Sequence, residues 1–145
     1  MTQYLVVAHQ TANSPELLER LCKIADDDPS AGFTLLVPAT PVNHLLTWEE
    51  GETHTIARKT AAAASALFEA HGLDIADASV GDGAPILAIA DELRAHPGQY
   101  DGIVLSTWPP GVSRWLHLDV HNQAERKFDL PVIHVVAQRR VKVRA

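Results

Sequence analysis

Short apolar runs alternate with helix-forming segments along this chain of 145 residues, and that alternation limits the fold more than any other feature. Most runs are continuously apolar, which is typical of strands buried on both faces of a parallel sheet. The run at 75–80 is interrupted by polar residues, so we expect it near a sheet edge. The five predicted strands are 4–8, 33–37, 75–80, 103–105 and 131–137.

Four helices are predicted between these strands. Ser14 is a suitable N-cap before Pro15 at the first helical position, and Pro85 opens a later helix. The predicted helices span about 15–26, 54–71, 85–95 and 113–128. Strands that alternate with helices predict an α/β fold, a three-layer sandwich with a mostly parallel five-stranded sheet between helices. We expect residues 1–138 to form one domain and 139–145 a basic tail.

Charge and cysteine content exclude several classes of protein. Four of the 12 basic residues lie in the last seven positions, so residues 1–138 hold 8 basic and 18 acidic side chains, a net charge of −10. Such an acidic body argues against nucleic acid as a partner, because phosphate binding needs a basic face. Cys22 is the only cysteine, which rules out an intrachain disulfide and a cysteine-based zinc cluster. We therefore expect a reducing, cytoplasmic location. No apolar run approaches the roughly 20 residues of a membrane span.

A ligand site is expected where parallel strands end. Ligands of open parallel sheets bind beyond the carboxyl ends of the strands, where helix N-termini also offer N–H groups to anions. The segments 9–14, 81–85 and 106–114 all fall there, and the long segment 38–53 is placed to cover them. In 106–114 the Arg114 guanidinium suits a phosphate or carboxylate. The alternative carries equal weight: Ser113 is only a helix cap and Arg114 pairs with a surface acid. For 9–14, a simple capped turn is the favoured interpretation.

Other polar residues give weaker indications. His117 and His121 are four apart on a predicted helix, a spacing that suits two metal ligands, but no third ligand accompanies them. We therefore expect a surface histidine pair and no metal site. His134, inside an apolar strand, is interpreted as a core or interface residue. No nucleophile, base and orienting group can be assigned, so no catalytic residue is predicted.

The sequence resembles the universal stress protein family. The resemblance is strongest at 80–86 (VGDGAPI) and 100–107 (YDGIVLST), and it includes 6–14 and 131–136. It implies the strand order 3-2-1-4-5, ligand-binding loops after the first and fourth strands, and dimers formed through the last strand. Many members of the family bind ATP or another adenine nucleotide.

The chain departs from the family pattern at the nucleotide site. His9 stands where nucleotide-binding members carry aspartate, and no glycine lies between Gly111 and Phe128 to complete the usual glycine-rich phosphate loop. Side chains of Ser113 and Arg114 are a candidate substitute for that loop. The run 107–116 (TWPPGVSRWL) looks like a divergent, actinobacterial-type branch of the family.

These observations give two sets of candidate residues. An apolar strand at a sheet edge invites pairing with a second copy of the chain. We expect the dimer interface to include Val132, Ile133, His134, Val135 and Val136. We expect ligand contacts from His9, Gln10, Thr11, Val37, Pro38, Gly81, Asp82, Ser106, Thr107, Gly111, Ser113 and Arg114.

Three functions are compatible with the sequence. The first is a homodimeric regulatory or small-ligand-binding protein with a divergent nucleotide or anion pocket. The second is a dimeric scaffold without a ligand. The third, a weak nucleotide hydrolase, is the least favoured because a fold by itself does not provide chemistry.

Overall fold

The computed structural model describes residues 2–39, 50–108 and 120–137, which form five strands and four helices in the predicted alternation. The strands are β1 (Gln3–Val7), β2 (Gly32–Pro38), β3 (Ile75–Gly81), β4 (Gly102–Thr107) and β5 (Val132–Val136). The helices are α1 (Pro15–Asp27), α2 (Glu50–Ala70), α3 (Pro85–Ala95) and α4 (Val120–Phe128).

The five strands form one parallel sheet in the order β3-β2-β1-β4-β5, which confirms the expected order. Every residue of the central strands β2 and β4 is buried, as their apolar sequences predict. β3 lies at an edge and is only partly buried, so the polar residues that interrupt it are accommodated there.

Alternate side chains of the sheet enter two separate cores, and this makes the molecule a three-layer sandwich. On one face, Val6 and Leu35 pack with the helices α1 and α2, which contribute Leu17 and Phe68. On the other face, residues such as Leu105 pack with α3 and α4. The predicted three-layer α/β architecture is therefore confirmed.

Helix ends follow the capping chemistry of the sequence. The Ser14 hydroxyl accepts a hydrogen bond from the Leu17 N–H at 3.2 Å, and Pro15 occupies the first turn. At the other end, Asp28 is the C-cap, and its carboxylate accepts hydrogen bonds from the hydroxyl and the backbone N–H of Ser30. The Ser30 hydroxyl bond is the main reason why the pKa of Asp28 lies below its usual value.

Most boundaries differ from the sequence prediction by only one residue, and the starts or ends of α2, β2 and β4 have a physical reason. α2 begins at Glu50 and not near His54, because a helix of 21 residues tolerates Gly51 near its start, a cost of about 1 kcal/mol relative to alanine. β2 continues through Pro38. Because the pairing of β1 with β2 ends at Val7 opposite Leu36, the missing N–H of Pro38 costs no bond in that ladder.

β4 is also longer than predicted. It includes Ser106 and Thr107, which pair with Val135 and Val136 of β5. These two hydroxyl residues therefore belong to a strand and not to the following loop, which fixes the direction of their side chains. No helix of the described residues is long and apolar enough to cross a membrane.

Candidate functional site

The order of the strands places a crevice between the carboxyl ends of β1 and β4. These strands are neighbours in the sheet, with Val7 opposite Leu105. Among the described helices, α1 after β1 packs on one face of the sheet and α4, the next one after β4, packs on the other face. Open α/β sheets bind ligands where neighbouring strands are followed by helices on opposite faces.

The segment after β1 is a compact polar turn. The Ala12 N–H donates to the His9 carbonyl, and the Ser14 N–H donates to the Thr11 carbonyl, each at 3.0 Å. These bonds carry the chain from the strand to the start of α1. His9 and Thr11 are buried while Gln10 is exposed. The turn therefore places two side chains in the interior of the protein and one at its surface.

A pair of buried hydroxyls crosses the crevice. Oγ1 of Thr11 and Oγ of Ser106 lie 2.7 Å apart and form a short hydrogen bond. Thr11 lies in the turn after β1, and Ser106 lies near the end of β4. Only 3% of Thr11 and 1% of Ser106 is exposed, so the pair lies at the base of the crevice. The sequence predicted both residues as ligand contacts, and the structure brings them together.

A second hydrogen bond crosses the crevice nearer to solvent. The indole N–H of Trp108 donates to Oε1 of the Gln10 side chain at 3.0 Å, and this contact is exposed. Trp108 was not among the predicted contacts, although its neighbours Ser106 and Thr107 were. Because Trp108 directly follows β4, next to the polar turn after β1, its position in the sequence could have predicted this contact.

Thr107 faces the other side of the sheet. Its side chain forms a hydrogen bond of 2.8 Å with Nε2 of His134, on the neighbouring strand β5. Because successive side chains of a strand alternate between faces, Thr107 and Ser106 cannot both line the same side of the crevice. The structure therefore separates Thr107 from the Thr11–Ser106 pair.

Four of the predicted contacts have structural roles at the carboxyl ends of β2 and β3, namely Val37, Pro38, Gly81 and Asp82. Val37 is fully buried in the core shared with α1 and α2, and Pro38 pairs with Gly81. A Cβ atom at Gly81 would approach the Cβ of Ala88 to 2.8 Å, so glycine allows α3 to pack close to β3. The Asp82 carboxylate accepts a hydrogen bond from the Ala84 N–H and shapes the turn into α3.

Several predicted contacts lie outside the described residues. These are Gly111, Ser113 and Arg114. His117, one of the predicted histidine pair, and residues 40–49 of the segment expected to cover the site also lie outside them. Within the described parts of the chain, the structure shows no group of three or more metal-ligating side chains.

A separate polar cluster lies at the opposite end of the strands, just before β4 begins. The Tyr100 hydroxyl donates to Oε2 of Glu92 at 2.6 Å, and Nδ1 of His96 lies 2.8 Å from the same oxygen. Burial and the bond to Glu92 raise the pKa of Tyr100. The cluster joins the end of α3 to the start of β4, far from the crevice.

Comparison with known structures identifies the fold. The chain is similar to the structure of the universal stress protein from Archaeoglobus fulgidus in complex with dAMP, with a TM-score of 0.58 and 16% identity over 93% of this chain and 97% of that chain. A second structure of universal stress protein from Archaeoglobus fulgidus gives a TM-score of 0.59 and 16% identity over 93% of each chain. No protein-family model matches the sequence, and no curated protein matches it. The protein therefore has the α/β fold of the universal stress proteins.

Proposed function

We propose that this protein is a regulatory, small-ligand-binding protein of the universal-stress-protein type. Its ligand is an adenine nucleotide or a related small anion, bound in the crevice between β1 and β4. The observation that carries the proposal is the Thr11–Ser106 pair, two hydroxyls from different segments held at the base of that crevice. The dAMP complex of a protein with the same fold supports an adenine nucleotide as the ligand.

The chemistry of the crevice differs from a glycine-rich phosphate loop. Thr11, Ser106 and Trp108 offer side-chain donors where such a loop uses backbone N–H groups. His9, buried in the same turn, stands where nucleotide-binding members of the family carry aspartate, so this turn contributes an imidazole and no carboxylate. We expect Ser113 and Arg114 to complete the site.

Calorimetric titration with dAMP and ATP tests this function. Ser106→Ala removes one hydroxyl of the crevice pair, and we expect it to weaken nucleotide binding about two- to tenfold, the effect of one hydrogen bond. Thr107→Val is the matched control, because it removes the neighbouring hydroxyl on the other face of the sheet. It should leave the affinity unchanged.

Thermal unfolding gives an independent measurement. A ligand at free concentration L that binds only the folded state stabilises it by RT ln(1 + L/Kd), so the unfolding temperature rises with ligand concentration. If no adenine nucleotide at millimolar concentration changes the unfolding temperature or gives heat, the protein does not bind nucleotides. That result would favour the dimeric scaffold without a ligand.

We also propose that the protein is a homodimer joined along β5. β5 is an edge strand that pairs with β4 and with no other described strand. Val132, Ile133, His134 and Val136 are half-buried, whereas Val135 is buried within its own chain. A second copy that pairs with this edge would cover the half-buried side chains and the backbone groups that face away from β4.

A further inference from the structure

The two hydrogen bonds across the crevice lie at different depths and differ in how easily they open. The Thr11–Ser106 pair is buried, so breaking it without a new partner leaves desolvated hydroxyls. The bond from the Trp108 indole to Gln10 is exposed, so water can replace either partner at small cost. An incoming ligand therefore meets the outer bond first and can open it.

The buried pair has a donor to spare. Two hydroxyls carry two O–H protons, and one of these lies between the oxygens of Thr11 and Ser106. The second proton is left for another acceptor, and no described residue forms that hydrogen bond with the pair. An acceptor from a ligand would satisfy it.

The indole group has only one N–H donor, so Trp108 cannot serve Gln10 and a ligand fully at the same time. We propose that Gln10 and Trp108 form a clasp that closes the crevice, and that a phosphate monoester opens it by accepting the indole N–H from Trp108 and the spare O–H of the Thr11–Ser106 pair. This inference rests on the proposed function and adds how the ligand is admitted. A phosphate fits because its several acceptor oxygens match a group of donors.

The clasp predicts that removing Gln10 strengthens ligand binding. In Gln10→Ala the indole N–H is free before the ligand arrives, so the affinity for dAMP should rise about two- to tenfold, the effect of one exposed hydrogen bond. Trp108→Phe also opens the clasp but removes a donor to the ligand. It should therefore bind dAMP more weakly than Gln10→Ala does.

The experiment combines calorimetry with NMR of the indole groups. Binding of dAMP, adenosine and inorganic phosphate is measured for the wild-type protein, Gln10→Ala and Trp108→Phe. Gln99→Ala is the matched control, because this exposed glutamine lies before the start of β4, at the opposite end of the strands from the crevice. In 15N spectra the Trp108 indole signal, assigned as the one lost in Trp108→Phe, should shift with dAMP and, without ligand, in Gln10→Ala. Gln99→Ala should leave it unchanged.

The outcomes separate the clasp from the proposed function. If the wild-type protein binds dAMP but Gln10→Ala leaves the affinity unchanged or lowers it, the clasp is wrong and the nucleotide site stands. If only Gln10→Ala binds dAMP, the clasp is supported as a gate that is normally closed. If inorganic phosphate binds as tightly as dAMP and Gln10→Ala strengthens that binding, the clasp is supported and free phosphate is the ligand. If no variant binds dAMP or phosphate, the clasp and the nucleotide site are both rejected.

Discussion

Tyr100 is the residue whose protonation should affect folding most visibly at high pH. Its hydroxyl is buried and donates to Glu92, so the pKa of Tyr100 in the folded protein lies above the ordinary value of 10.0. Below that value the phenol is protonated in both states. Above it the unfolded chain releases the proton and the folded protein keeps it, so the free energy of unfolding falls as the pH rises.

Tyr100→Phe should remove this pH dependence. At about pH 8 the variant should lose about 1.5–3 kcal/mol of stability, the range for a hydrogen bond to a charged group. Between about pH 9 and pH 11, the range around the ordinary tyrosine pKa, its stability should fall less steeply than that of the wild-type protein. Urea unfolding at each pH measures both effects, and Glu92→Gln, which keeps an acceptor without the charge, is the control. Parallel pH profiles for the wild type and Tyr100→Phe would contradict this account.

Residue types in the sequence indicated the crevice but not the partners of each side chain. Ser106 and Thr107 are adjacent hydroxyl residues, and the sequence placed both in one ligand site. Once β4 is known to extend through Thr107, alternation of side chains separates them: Ser106 contacts Thr11, and Thr107 contacts His134. The length of the strand depends on pairing with β5, which no local pattern reveals.

At the scale of elements, the contact of α3 with β3 depends on a missing side chain. In Gly81→Ala the new Cβ would lie 2.8 Å from the Cβ of Ala88 and 3.1 Å from Cδ1 of Leu36. We expect this variant to lose about 1–3 kcal/mol of stability, the usual cost of overpacking. Urea unfolding monitored by circular dichroism measures the loss.

A double-mutant cycle checks the physical reason for this loss. Ala88→Gly removes the Cβ atom that the Gly81→Ala side chain would meet, although glycine in a helix costs about 1 kcal/mol by itself. The double variant should therefore be more stable than the sum of the two single changes predicts. Additive effects would show that the loss in Gly81→Ala does not arise from contact with Ala88, and the close approach to Leu36 would then be the remaining cause.

The elements themselves were largely predictable because their patterns are local. Continuous apolar runs indicated the buried strands, and Ser14 with Pro15 indicated the start of α1. The errors fall where pairing with a neighbour overrides a local rule. Proline usually ends a strand, but Pro38 pairs with Gly81 of β3 and lies beyond the last residue of β2 that pairs with β1.

At the scale of the whole molecule, the order of the strands brings distant segments into one site. Thr11 and Ser106 are 95 residues apart in sequence, and Gln10 and Trp108 are 98 residues apart. The family resemblance predicted the order, and the order implies that the turns after β1 and β4 meet. The clasp could not be predicted, because it depends on which side chains reach across the crevice to each other.

The same order leaves β5 at an edge and makes the dimer testable through its backbone. The Ile103 N–H donates to the Pro131 carbonyl, and the Ala137 N–H donates to the Thr107 carbonyl. In a parallel ladder alternate residues bond to the same neighbour, so the N–H groups of 132, 134 and 136 point away from β4. The N–H groups of 132 and 136 are the donors that a second copy of the chain would use.

Val136→Pro should therefore separate the dimer without disrupting β4. Proline removes an N–H that faces the free edge, and edge positions of this kind accept proline. Light scattering at micromolar concentration should give twice the chain mass of 15.8 kDa for the wild-type protein and the single mass for Val136→Pro. Val136→Thr keeps the N–H and the branched shape, so it should remain dimeric. Circular dichroism checks that all three proteins are folded. A monomeric wild type would reject the dimer, and a folded but dimeric Val136→Pro would show that the copies join through another surface.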